Sequence, residues 1–117
     1  MTEIKPTYVT FEQAQGFKDK GLDFWCKYRY TDFNGIIRLE EDASELHPVA
    51  PEQWQVIEWA SLVHNIDIEA RPVRYAGDIK TSYYQSYING CIINMSKFST
   101  RQQAYSAAFD YVLNNLI

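Results

Sequence analysis

The sequence predicts an α+β fold: an antiparallel three-stranded meander flanked by helices, an α-β-β-β-α body, preceded by an N-terminal helix and a β-hairpin. Three observations point there. Thr10 with Gln13 and Thr100 with Gln103 are capping boxes, which mark helix starts near both ends of the chain. Residues 24–31 and 66–71 alternate apolar and polar side chains with the period of a half-buried strand. Asn89-Gly90 is the strongest hairpin signal in the chain, because both residues tolerate the positive φ that a tight reversal requires.

The first helix is expected over 11–20. Phe11, Ala14 and Phe17 share one face, Glu12, Gln15 and Lys18 lie elsewhere, and Gly21 is placed to end the helix. Gly16 weakens it by about 1 kcal/mol relative to Ala, so it depends on packing. Over 24–31, Phe24, Cys26, Tyr28 and Tyr30 fall on one side and Trp25, Lys27, Arg29 and Thr31 on the other. A turn at 32–35 and a return strand at 36–41 complete a hairpin. Residues 42–48 read as a polar connection ending where Pro48 and Pro51 punctuate the chain. The organisation expected is one domain over 1–117, with a helix and hairpin unit, 1–47, docked on a body, 50–117.

Pro51 suits the first position of a second helix over 51–64, and Glu52 favours its positive end. Val56, Trp59, Ala60 and Val63 cluster on one face with Ile57 at its edge, and Trp54 falls on the other side near Glu58 and Ser61, exposed unless the N-terminal hairpin covers it. Beyond it, Ile66, Ile68 and Ala70 alternate with Asp67, Glu69 and Arg71 in a strand limited by Pro72. A turn at 76–78, a tyrosine-rich strand at 81–88 and a return at 91–95 finish the meander. In the last helix Ala104, Ala108, Val112 and Leu116 recur every fourth residue, flanked by Tyr105, Phe109 and Leu113. Gln103, Ser106, Asp110 and Asn114 form its wet face.

The order from Pro51 onward resembles the layout of double-stranded RNA-binding domains, and the final helix, opening Thr100-Arg101-Gln102-Gln103-Ala104, is similar to theirs in alanine placement. The basic cluster with which those domains grip phosphate is missing: Arg101 is followed by Gln102 and Gln103, and Tyr105 stands where a further Lys is needed. A second resemblance spans the chain. Residues 6–14 (Pro-Thr-Tyr-Val-Thr-Phe-Glu-Gln-Ala), 50–59 (Ala-Pro-Glu-Gln-Trp-Gln-Val-Ile-Glu-Trp) and 104–117 resemble a family of small proteins from phages and prophages of gut Bacteroidales. That resemblance implies a phage-borne accessory protein and carries no site residues with it.

Composition and motifs narrow the chemistry. With 117 residues, 46% hydrophobic and 22% charged, the chain is globular rather than disordered. No apolar run approaches the roughly 18 residues that span a bilayer, and no secretion signal is legible, so a cytoplasmic location and no membrane partner are expected. A net charge of −4 works against non-specific attraction to nucleic acid. Cys26 and Cys91 lie far apart in apolar surroundings and read as buried free thiols. His47 and His64 have no partner at metal-ligand spacing, and the five glycines are too scattered for a phosphate loop, so neither a metal, a cofactor nor a catalytic motif is expected. Glu40, Glu41, Asp42 and Glu45 form an acidic run that reads as a solvated loop.

Aromatic residues, 15% of the chain, are the positive clue. On the tyrosine-rich strand Tyr83 and Tyr87 point one way and Tyr84 the other, so an uncovered sheet face with Arg71, Arg74 and Lys80 nearby forms a stacking and cationic surface. The competing expectation is that the hairpin, with Tyr28 and Tyr30, covers that face. The leading functional expectation is a non-catalytic binding protein that engages a host protein or itself, with Trp54, Arg71, Arg74, Lys80, Tyr83, Tyr84 and Tyr87 as binding residues. Two alternatives are a small-ligand sequestering protein using Tyr84, Arg74 and Trp54 for a nucleotide, and a nucleic-acid binder using Arg71, Arg74, Lys80, Lys97 and Arg101.

Overall fold

A computed structural model of the chain describes residues 5–41, 43–93 and 95–117. They form an α+β protein with two antiparallel sheets, one of two strands and one of three. The chain divides into two compact units, Met1–Val56 and Ile57–Ile117.

In the first unit α1 (Phe11–Asp19) starts as expected: Thr10 accepts from the Gln13 amide at 3.1 Å, and the Gln13 side chain accepts from the Thr10 amide at 3.0 Å. Gln13, Ala14 and Phe17 are buried, and Gly21 turns the chain at a φ of 94°. The hairpin then departs from expectation. Its strands are β1 (Arg29–Phe33) and β2 (Ile36–Glu40), so the first strand begins five residues later than its alternation implies and takes in Asp32 and Phe33. The cause is the turn: Asn34 and Gly35 alone carry positive φ, 53° and 81°, and a reversal of two residues leaves Phe33 and Ile36 as its closing pair. Residues 24–28 keep their alternation in burial without a strand partner, Cys26 inside and Trp25 out. Tyr28 packs on the N-terminal segment, edge-on to Tyr8 at 5.9 Å.

Residues 48–52 run beside both β1 and the N-terminal segment. Arg29 bridges Val49, Tyr8 bridges Glu52, and the Val9 amide donates to the Pro51 carbonyl. That pairing keeps Pro51 extended, so α2 (Gln53–His64) begins two residues after the proline that was expected to open it. Val56, Trp59 and Ala60 are buried and Trp54 is exposed, as the periodicity predicts. Val63 is not part of the buried face: it is 63% exposed, because Asn65 at a φ of 55° turns the chain off directly after the last helical turn.

In the second unit β3 (Ile68–Val73), β4 (Tyr83–Ile88) and β5 (Cys91–Ile92) form the expected meander in that order, reversed between β4 and β5 by Asn89 and Gly90 at φ 52° and 80°. Pro72 stands inside β3 opposite Tyr84, tolerated because β3 is an edge strand. The return strand is two residues long, with Asn94 of the expected 91–95 run outside the described residues, and Tyr84 bridges Phe98 farther on. The helix α3 (Arg101–Asn115) carries the second capping box and packs on β3 and β4. Ala104, Ala108, Phe109 and Val112 are fully buried, and the small alanines bring helix and strand close enough for the Ser86 hydroxyl to donate to the Ala104 carbonyl at 2.6 Å. Leu116 is exposed because it lies at the C-cap, past the covered turns.

Candidate functional site

The hairpin of the first unit exposes apolar side chains on both of its faces. A type I′ turn makes Phe33 and Ile36 a hydrogen-bonded pair, and pairing then alternates: Thr31 with Arg38 and Arg29 with Glu40 are bonded, Asp32 with Ile37 and Tyr30 with Leu39 are not. One face therefore carries Tyr30, Asp32, Ile37 and Leu39, the other Arg29, Thr31, Phe33, Ile36, Arg38 and Glu40. Every residue of β2 is exposed. Phe33 is 76% exposed, Ile36 53%, Ile37 41% and Leu39 39%, so aliphatic or aromatic surface faces solvent on both sides. Thr31, Phe33, Ile36, Arg38 and Glu40, with Asp32 at the margin and His47 from the following connection, line an open groove of about 600 Å³.

The root of the hairpin is fixed while its tip is free. The Tyr30 amide donates to the Pro48 carbonyl at 3.0 Å, the Ala50 amide to the Tyr28 carbonyl at 2.9 Å and Arg29 Nη1 to the His47 carbonyl at 2.6 Å. Tyr30 also donates its hydroxyl to the Val9 carbonyl, and burial raises its pKa above the ordinary value. These bonds occupy the outer edge of β1. Among the described residues no backbone group other than those of β1 pairs with β2.

The residues expected to bind are distributed over several surfaces. In the second unit Arg71, Tyr83 and Tyr87 share the sheet face opposite α3, together with Glu69, Val73 and Gln85. The Arg71 guanidinium lies 4.1 Å from the Tyr87 ring centroid and donates to Glu69 at 2.8 Å, which holds the Glu69 carboxyl below its ordinary pKa. Lys97 sits over Tyr83 at 4.9 Å, and Tyr75 meets the same ring edge-on at 6.3 Å. Tyr84 is on the α3 side, beneath Arg101 at 5.4 Å. Arg74 and Lys80 are exposed in the connection between β3 and β4. Trp54 belongs to the first unit. Tyr83, Tyr87 and Arg71 share one sheet face, and Arg71 and Lys97 are engaged there by rings and a carboxylate of the same unit.

The titratable groups are dispersed. Cys26 is buried, and burial pushes its thiol up to about 11. Cys91 is exposed, contrary to expectation, since it follows the turn in a strand of two residues that are both exposed. His64 packs its ring on Trp59 at 4.7 Å, with Nε2 inaccessible and unbonded. Of the acidic run, Glu41 pairs with Lys27 at 3.8 Å and Glu40 stands opposite Arg29, while Asp42 lies outside the described residues. No cluster of three metal-ligating side chains occurs among the described residues. No helix there is long and apolar enough to cross a membrane.

The hairpin tip and β2 carry none of the tyrosines that draw attention in the sequence. The signal lay in 33–39, where Phe33, Ile36, Ile37 and Leu39 place apolar side chains on both faces of a short hairpin. No protein-family model, curated protein or solved structure matches the chain.

Proposed function

We propose that this chain is a non-catalytic accessory binding protein, of the phage-encoded kind that the resemblance implies, acting through protein–protein contact with a host factor or with itself. The contact surface is the β1–β2 hairpin. The observation that carries the reading is the exposure of Phe33, Ile36, Ile37 and Leu39 in a hairpin whose second strand has an open edge. An isolated hairpin of two strands is marginal in water, and contiguous exposed apolar surface marks interaction sites. The rooted base and uncovered tip fit an element held out for a partner.

The test is a pair of double substitutions, Phe33→Ser with Ile36→Ser at the tip and Ile37→Ser with Leu39→Ser along β2. Both variants should stay folded by circular dichroism, while association measured by sedimentation and by co-purification from host extract is lost in at least one of them. If both folded variants associate as the wild type does, the hairpin is not the contact surface. A second reading, small-ligand sequestration, draws support from the open groove beside Arg38 and His47, where a cation and Phe33 are available to an anionic aromatic ligand. A nucleotide-dependent rise in melting temperature that Arg38→Ala removes is its expected mark.

A further inference from the structure

We infer that the occupant of the β2 edge is a second copy of this chain, paired antiparallel with β2 so that Leu39 lies on the twofold axis. The inference rests on the reading of the hairpin as a contact surface and names what binds there. In the hairpin, residues 36, 38 and 40 turn their backbone groups toward β1, so Ile37 and Leu39 direct N–H and C=O outward. The Tyr30 amide, which reaches away from β2 to Pro48, obeys the same alternation on β1. A strand added to β2 must therefore bond through Ile37 and Leu39.

A twofold pairing of identical antiparallel strands centres on one residue, and the charges choose which. Centring on Arg38 sets Arg38 against its own copy, and centring on Glu40 does the same with two carboxylates, both unfavourable across a ladder. Centring on Ile37 draws Gly35, at a φ of 81°, into the ladder, where a turn residue has no extended backbone to offer. Centring on Leu39 sets no like charges opposite one another and extends the ladder only to Glu41, the residue directly after β2. Leu39 then bonds to Leu39 of the second copy and Ile37 to its Glu41. Arg38 of each copy faces Glu40 of the other in the closely spaced, non-bonded positions.

Each face of the resulting four-stranded sheet is consistent. On one side Glu40, already opposite Arg29 within its own hairpin, meets Arg38 of the second copy, so positive and negative groups alternate across the strands. On the other, Leu39 of both copies meets on the axis beside Tyr30, with Ile37 of each copy diagonal to it and opposite Glu41 of the other. The three residues Arg38-Leu39-Glu40 are self-complementary when read antiparallel, which a foreign strand would have to match by coincidence.

Sedimentation equilibrium of the full chain tests this with two charge variants. The wild type should dimerise; Arg38→Glu and Glu40→Arg should each raise the dimer dissociation constant by about tenfold or more; and their equimolar mixture should restore wild-type association. In a Cys91→Ser background, oxidation should crosslink Leu39→Cys readily and Ile37→Cys poorly, because the two copies of residue 37 stand about 13 Å apart. A monomeric wild type, charge variants that dimerise unchanged, or equal crosslinking at 37 and 39 would each overturn the second copy as occupant. A monomeric wild type whose binding to another protein is lost on Phe33→Ser with Ile36→Ser overturns this pairing and leaves the hairpin reading standing. A dimer indifferent to every hairpin substitution removes both.

Discussion

The two hairpins of this protein reverse on the same dipeptide with the same geometry, and they end in opposite environments. Asn34-Gly35 and Asn89-Gly90 adopt φ values within a degree of each other, 53° and 81° against 52° and 80°. In the second unit α3 lies on the strand that enters the turn, where Ser86 and Ile88 are buried on its side. In the first unit the entering strand, β1, has no buried residue, and the strand that leaves the turn is exposed in both hairpins. An Asn-Gly turn dictates where a chain reverses and is silent on what covers the ladder it closes. Covering comes from an apolar helical stripe at the right distance, which Ala104, Ala108, Phe109 and Val112 supply in one case.

The sharpest way to break that contrast is to shorten one aromatic in each setting. Phe109→Ala, at a fully buried position, should lower unfolding free energy by about 3–5 kcal/mol, whereas Phe33→Ala at the hairpin tip should change it by no more than about 0.5 kcal/mol. Urea titration of both variants reads the difference directly. Comparable losses would mean that the tip is packed in solution.

The cysteines sharpen the comparison, since Cys26 precedes β1 and is buried while Cys91 opens β5 directly after its turn and is exposed. Burial lifts the Cys26 thiol from 9.0 to about 11 in the folded chain. Between those values the unfolded chain loses a proton that the folded one retains, so stability falls as pH rises through that window and is intact below it. The loss should reach of order 2 kcal/mol and vanish in Cys26→Ala, measured as melting temperature against pH. Thiol labelling at neutral pH should modify Cys91 fast and Cys26 only on unfolding.

The smallest expected effect concerns the turns themselves. A Cβ added at Gly35 or Gly90 meets nothing within 4 Å, so alanine at either acts through backbone strain alone, roughly 1 kcal/mol. Gly90→Ala should lower global stability by that amount. Gly35→Ala should instead show as faster hydrogen exchange in β1 and β2 with the global midpoint nearly unchanged.

Local chemistry made the frame legible. Both capping boxes, the Asn89-Gly90 reversal, the opposed directions of Tyr83 and Tyr84, and the buried run Ala104, Ala108, Val112 follow from interactions within a few residues. What escaped depended on distant partners. Pro51 suits a helix start by itself, and the pairing of Glu52 with Tyr8 delays that start. Residues 24–28 alternate as a strand does, yet a ladder needs a neighbour, and β2 reaches only as far back as Arg29. Cys91 and Val63 are apolar by residue type, and their exposure is set by a two-residue strand and by the Asn65 turn. Of the binding residues expected, Tyr83, Tyr87 and Arg71 do meet on one face, while the hairpin tip went unnoticed because apolar side chains on a short strand look like core until a cover is sought.

Pro72 bears on how the chain behaves when crowded. The segment Tyr83–Ile88 is uncharged, aromatic and free of proline, the composition from which stacked cross-β aggregates grow. It is the central strand, flanked by β5 and the Phe98 bridge on one side and by β3 on the other, and β3 has at Pro72 a residue with no N–H to donate to an incoming ladder. The proline acts as a gatekeeper, and the amyloid-prone hexapeptide is withheld from neighbouring molecules for as long as its own unit stays folded.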